Sequence, residues 1–192
     1  HPRILDSTSL LAIDKIPLSL TILGGGVIGC EFASLFAALG TSVTIVEMQP
    51  NILPLLDKEL ARYQAMQFKK AGIKIITGQA LSEIVADDDC VSAKAGEEII
   101  KSEYLLVSIG RRPATEGLAL EAPGIKTDAK GWIKVDEYCR TSVPNIYAAG
   151  DICGSWQLAH AATAMGLCAL DNIQGKNKEF DSSCIPSCIF TN

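Results

Sequence analysis

Residues 18–47 read LSLTILGGGVIGCEFASLFAALGTSVTIVE. The apolar run Leu18–Leu23, with Thr21 and Ile22, suits a buried parallel strand, and it runs into Gly24, Gly26 and Gly29 at G-x-G-x-x-G spacing. Each glycine has its own reason to lack a Cβ. Gly24 makes the tight turn, Gly26 lets the backbone approach a diphosphate, and Gly29 lets the following helix lie close on the strand. That helix presents Ile28, Phe32, Leu35, Phe36 and Leu39 as an apolar stripe and closes at Gly40. Ser42–Val46 is the second strand, and Glu47 ends it. A strand, a glycine turn, a helix and a second strand form the smallest unit that holds a dinucleotide, with the phosphates at the helix N-terminus.

Glu47 lies 18 residues past Gly29, close to the ~20-residue offset at which an acid meets the adenosine ribose. A carboxylate there accepts hydrogen bonds from the free 2′-hydroxyl of NAD and repels the 2′-phosphate of NADP. Residues 48–57 contain no Arg or Lys to reverse that preference, so NAD is the expected cofactor.

The whole chain of 192 residues can bury about 70% of its unfolded surface, enough for one or two domains with a real core. Its net charge is −5, with no basic run, which argues against nucleic acid or an anionic membrane as partner. No apolar stretch reaches membrane-spanning length, and no signal peptide is evident. The first residue is His1 rather than Met, so the N-terminus is expected to be a cut and the chain a fragment. Seven cysteines (30, 90, 139, 153, 168, 184 and 188) are an odd number in a chain able to build its own core, which disfavours a secreted disulfide framework. Cys184 and Cys188 are expected as packing residues, Cys30 as a buried small residue, and no zinc set is expected with only His1 and His160 available. His160 is expected in a structural hydrogen bond.

Further along, Asp57 is a helix N-cap, Lys58–Ala71 a helix ending at Gly72, and Ile73–Thr77 a third strand. Leu81–Ala86 and Val91–Ala95 read as an antiparallel insertion, and Tyr104–Ile109 as a last buried strand stopping at Gly110. A dinucleotide domain therefore covers about residues 13–114. Beyond it, Ile133–Val135 and Ile146–Ala149 are short strand candidates, and Asp151 follows a strand end. A helix from Leu158 to Gly175 carries Ala162, Met165, Ala169 and Ile173 on one face.

Four ordered segments carry a family resemblance: SLTILGGGVIGCEFA with VTIVE, LLVSIGRRPAT, VDEYCRTSVPNIYAAGD, and LAHAATAMGLCALDNIQG. With them the chain resembles the flavoprotein disulfide reductases, and among these the dihydrolipoamide dehydrogenases. The resemblance implies an α/β fold: a Rossmann-like NAD-binding domain, a parallel sheet with an antiparallel insertion, followed by the second segment of a Rossmann-like FAD-binding domain. Residues 1–12 would be a linker from the FAD domain, 115–186 its second segment, and 187–192 the start of a truncated interface domain. Gly24, Gly25, Gly26, Val27, Ile28, Gly29 and Glu47 would hold NAD, with Glu31 near the nicotinamide, Leu81 near the adenine, and Ser108, Ile109, Gly110 and Arg111 against the dinucleotide. Asp151 would hydrogen-bond the ribityl chain of FAD, with Ala159 close to the flavin.

The resemblance also implies what is missing. No earlier FAD-binding G-x-G-x-x-G and no redox C-x-x-x-x-C stands in these 192 residues, and the catalytic His and Glu belong to the family's interface domain, so no catalytic residue is assigned here. The intact enzyme would pass electrons from a dithiol through a disulfide and FAD to NAD, while the chain alone would be inactive. Its substrate would be the dihydrolipoamide of 2-oxo acid dehydrogenase or glycine cleavage complexes, and its assembly a homodimer. A mercuric reductase, an NADH peroxidase, a soluble transhydrogenase or a noncatalytic NAD-binding module are the alternative readings. The expected location is the cytoplasm, or an organelle matrix if a transit peptide preceded His1.

Overall fold

A computed structural model describes residues 1–191. Two compact units result, His1–Gly110 joined by the residues from Ile189 on, and Arg111–Cys188.

In the first unit β1 (Ile4–Leu5), α1 (Ser7–Leu10), β2 (Ser19–Leu23), α2 (Val27–Ala38), β3 (Ser42–Glu47), α3 (Lys58–Lys70), β4 (Lys74–Thr77), β5 (Leu81–Ala86), β6 (Val91–Ala95), β7 (Glu98–Ser102) and β8 (Tyr104–Val107) follow in order. The five-stranded sheet has the order β1-β8-β2-β3-β4 and is parallel throughout. Its register pairs Leu23 with Val46 on one side and with Val107 on the other, so three strand ends stand level beside the glycine turn. Alternate side chains split between the faces. Leu20, Ile22, Val43, Ile45 and Leu106 face α2 and α3 in the main core, whereas Val46 packs with Ala95 and Ile100 of the three-stranded antiparallel sheet β5-β6-β7.

Helix α3 begins where Asp57 accepts hydrogen bonds from the Glu59 and Leu60 amides and ends before Gly72 at φ +79°. Helix α2 keeps Phe36 and Phe32 of the expected stripe against the core and corrects the rest. Its buried face is Gly29, Cys30, Ala33, Ser34 and Phe36, while Leu35 and Leu39 are nearly half exposed. An almost wholly apolar helix does not reveal by periodicity which face is inward; the tight approach at Gly29 selects the small residues. Two further differences come from pairing. Residues 4–5, expected within a linker, form the edge strand on β8, and Leu10 is buried in the main core. Strand β7 was not anticipated, because Glu98–Ser102 mixes charged and apolar residues; its pairing with β6 and the burial of Ile100 hold it in place.

In the second unit the expected strands over 133–135 and 146–149 do not form. Isolated bridges, Thr127 to Ile133 and Arg140 to Tyr147, and single backbone hydrogen bonds such as Ile133 to Ile152 join these segments to their neighbours instead. Helix α4 (Ala159–Ile173) buries Ala161, Met165, Cys168, Ala169 and Asn172, and Ile173, expected inside, is 62% exposed. With no regular strand among its described residues, side-chain hydrogen bonds help tie the unit together. Asn172 Nδ2 donates to the carbonyls of Tyr138, Cys168 and Lys178 at 3.1, 3.0 and 2.7 Å, and its Oδ1 accepts from the Lys178 amide at 2.8 Å. A buried amide so fully used is costly to remove, because the part-buried Tyr138 and Lys178 backbone groups lose their partner. Asn172→Leu is expected to destabilise the chain by about 2–4 kcal/mol, read as a lower urea midpoint; an unchanged midpoint would show that the hub is dispensable.

Candidate functional site

The glycine turn joins β2 to α2 beside the end of β8. A Cβ on Gly24, at φ +108°, would come within 2.5 Å of the Ser108 carbonyl oxygen, and one on Gly29 within 2.0 Å of the Gly24 carbonyl oxygen. Both positions exclude any larger residue. Gly26 differs, because a Cβ there would meet nothing within 4 Å. It is the extended residue at the start of α2, and no side chain caps the helix. The first-turn amides of Val27, Ile28 and Gly29 therefore lack intrahelical acceptors, and the helix dipole adds about half a positive charge at the same point. Open space over Gly26 and unused donors beneath it fit a diphosphate.

Glu47 stands across the turn. Its Oε2 accepts from the Gly25 amide at 2.7 Å and its Oε1 from the Gln49 amide at 2.7 Å. A carboxylate offers about four lone-pair sites, so two backbone donors orient it and leave acceptor capacity for a ribose diol. The Gly25 carbonyl accepts from the Leu53 amide at 2.7 Å, and the Ile52 side chain lies 2.9 Å from where a Gly25 Cβ would be. Leu53 is buried and left-handed at φ +52°. Gln49, Ile52 and Leu53, which fold the β3–α3 loop back onto the turn, were not singled out from the sequence. The available signal was an apolar pair, Ile52-Leu53, enclosed by Pro50 and Pro54 in an otherwise exposed loop.

Ser108 fastens the end of β8 to the turn, its hydroxyl donating to the carbonyls of Leu23 and Gly24 at 3.1 and 3.2 Å. Ile109 beyond it is exposed, and Gly110 at φ +133° has no atom within 4 Å of a Cβ position. Leu81 begins β5 and packs with Val46 and Ile76 beneath the strand ends. Glu31 lies one turn into α2, and its Oε1 accepts from the Phe190 amide at 3.0 Å. Cys30 is a packing residue: it is fully buried, its thiol donates to the Gly25 carbonyl, and burial, followed by the charges of Glu47 and Glu31, pushes its pKa up to about 12.

Within the second unit, Gly150 at φ +82° approaches α4 so closely that a Cβ would stand 3.1 Å from that of Ala162. This contact sets Asp151, which opens a single 3₁₀ turn (Asp151–Cys153), near the start of α4, where Leu158 provides no side-chain cap and Ala159 is exposed. The Asp151 carboxylate is half exposed and lies 3.6 Å from Arg111 Nη1. Arg111 is the first residue of the second unit. An exposed carboxylate beside uncapped helix amides offers an acceptor and donors together, a set that fits a polyhydroxyl chain and the polar edge of a ring. His160 Nε2 donates to the Pro186 carbonyl at 2.8 Å, a structural bond. Cys184 and Cys188 are both exposed, which corrects their reading as packing residues; the segment around Pro186 has no strand to turn their side chains inward. Cys139, Cys153 and Cys168 do pack together, and burial above all pushes Cys139 and Cys153 up to about 12 and about 11. No described helix is long and apolar enough to cross a membrane.

The family model for pyridine nucleotide-disulphide oxidoreductases matches residues 1–166. The chain belongs to this family. Among relatives, dihydrolipoyl dehydrogenase of Chlamydia pneumoniae is 44% identical over 98% of the chain, and one from Bacillus subtilis is 40% identical over 98%. The chain spans 41% of the length of each of these relatives. Among solved structures, the Cu(II) complex of a point mutant of the HOCl-induced flavoprotein disulfide reductase RclA from Escherichia coli has a TM-score of 0.93 at 33% identity, covering 99% of this chain and 44% of that one. LpdA from Mycobacterium tuberculosis has a TM-score of 0.90 at 28% identity, covering 97% and 41%. Pyridine nucleotide-disulphide oxidoreductases use FAD with NAD or NADP, and the α/β architecture with a mostly parallel sheet agrees with these neighbours.

Two glycines of the turn separate stability from binding. Gly29→Ala is expected to cost about 2–4 kcal/mol of stability, since the clash is with backbone that cannot step aside. Gly26→Ala is expected to cost no more than about 1 kcal/mol, the range for a changed N-cap. Denaturant titrations of the two variants check this, and equal losses would contradict the assignment of the open space to a ligand.

Proposed function

We propose that this chain is the NAD-binding domain and the second FAD-binding segment of a dihydrolipoamide dehydrogenase-like oxidoreductase. The observation that carries the reading is the uncapped α2 N-terminus under the open space at Gly26, with the Glu47 carboxylate fixed opposite by two backbone amides. Val27, Ile28 and Gly29 donate to the diphosphate, and Glu47 accepts from the adenosine ribose. Glu31 serves the nicotinamide end, Leu81 supports the adenine, and Ser108 to Gly110 border the dinucleotide. Asp151 and the start of α4 at Ala159 hold the flavin's ribityl and ring-edge groups, with Arg111 orienting Asp151. When bound, NAD and FAD supply two-electron chemistry that side chains alone lack. The residues of this chain bind and orient the cofactors.

Support for the lipoamide assignment comes from the relatives named above, at 40–44% identity. A dithiol electron donor, a homodimeric whole protein and association with 2-oxo acid dehydrogenase or glycine cleavage complexes belong to the same reading, as does a cytoplasmic or organelle-matrix setting.

NADH is expected to bind in preference to NADPH, because the Glu47 carboxylate occupies the 2′-position and no cation stands in residues 48–57. Glu47→Ala is expected to weaken NADH by about 1–3 kcal/mol while raising the relative affinity for NADPH. Paired calorimetric titrations test both, and equal starting affinities would overturn the cofactor choice.

The chain by itself is expected to reduce no NAD when given dihydrolipoamide, since it carries no C-x-x-x-x-C pair to take the electrons. Turnover without added flavin or a second protein, abolished by substituting Cys184 or Cys188, would make those exposed thiols a redox pair and overturn this assignment.

A further inference from the structure

The chain returns to the first unit at its C-terminal end. Ile189 packs against the core shared by α2, α3 and the parallel sheet. The next two residues reach one helix each: the Phe190 amide donates to Glu31 Oε1 on α2 at 3.0 Å, and the Thr191 hydroxyl donates to Gln64 Oε1 on α3 at 3.1 Å. The Phe190 ring is 81% exposed, so at this residue the backbone amide makes the contact. A short strap therefore joins the two helices and takes hold of Glu31 by one oxygen.

Glu31 stands four residues beyond Val27, one turn from the amides assigned to the diphosphate. Among the described residues its Oε2 has no partner, so one acceptor face is fixed and the other is free. We propose that residues 189–191 are a positioning strap, whose Phe190 amide holds the Glu31 carboxylate ready to accept from the nicotinamide carboxamide. This rests on the reading of α2 as the NAD-binding helix. The physical basis is preorganisation: a free glutamate must give up rotamer freedom when it meets a ligand, whereas one already held by a backbone donor does not. Linkage makes the effect reciprocal, so bound NADH must in turn hold the strap in place.

The test uses the full chain with NADH and with ADP-ribose, which lacks the nicotinamide. Phe190→Pro removes the amide donor, and Phe190→Ala keeps it. The Pro variant is expected to raise the NADH Kd by about three- to tenfold, the scale of one hydrogen bond, and to leave the ADP-ribose Kd unchanged; the Ala variant should alter neither. In a Glu31→Ala background, Phe190→Pro should have no further effect on NADH. Equal NADH affinities in the Pro and Ala variants would overturn the strap while leaving the dinucleotide site intact. Parallel loss of NADH and ADP-ribose would overturn it too, showing general support of the fold. Failure of the parent chain to bind either ligand would overturn the NAD reading and the strap with it. Should Phe190→Pro not fold, hydrogen exchange of the Phe190 amide in the parent decides: slower exchange with NADH is expected, and an unchanged rate would overturn the proposal.

Discussion

Helix α2 lies so close to the end of β2 that a Cβ on Gly29 would overlap the Gly24 carbonyl oxygen at 2.0 Å. The rest of the dinucleotide unit depends on that approach. Small residues, Cys30, Ala33 and Ser34, follow Gly29 on the inner face of α2, which Phe36 completes, while Leu35 and Leu39 turn outward. The approach also aims the free amides of the first turn at the level where β2, β3 and β8 end together. These donors are main-chain groups, so their placement is set by packing rather than by long flexible side chains.

Around this contact, single backbone groups are shared among several elements. The two peptide groups of Gly25 serve Glu47 and Leu53, drawing the end of β3 and the following loop onto the turn. The Ser108 hydroxyl does the same for β8. The acid is therefore placed by main-chain donors, with no cation needed to hold it. The second unit has a different character. Its core relies on the sulfur-rich cluster of Cys139, Cys153, Met165 and Cys168, and the side-chain hydrogen bonds of Asn172 supplement scattered backbone bonds where regular strands would provide ladders. Raised thiol pKa values suit such a core, because neutral thiols pack as small hydrophobic groups.

Much of this could be read along the chain because it follows from local rules. Glycine spacing, the Asp57 cap, the glycines after α2 and α3, and the run from Ser42 to Glu47 each act within a few residues, and the elements they mark formed where expected. Readings that required knowledge of a distant neighbour did worse. Residues 133–135 and 146–149 have strand-like side chains yet found no continuous partner, so they remain isolated bridges. Glu98–Ser102 lacks a strand-like pattern and became β7 because β6 lay alongside.

The sequence by itself determined the βαβ unit, the order of its motifs, and the residue types at its glycine turn and strand end, since steric exclusion at a glycine and the reach of an acid from a strand end are properties of short segments. Only the tertiary structure decided which face of α2 turns inward, that Leu53 and Ile52 close over Gly25, that Arg111 pairs with Asp151, and that Phe190 reaches Glu31 across a separation of 159 residues. These contacts join segments whose proximity is set by the packing of the whole chain, and a hydrogen bond between such segments leaves no periodicity or spacing to read in advance.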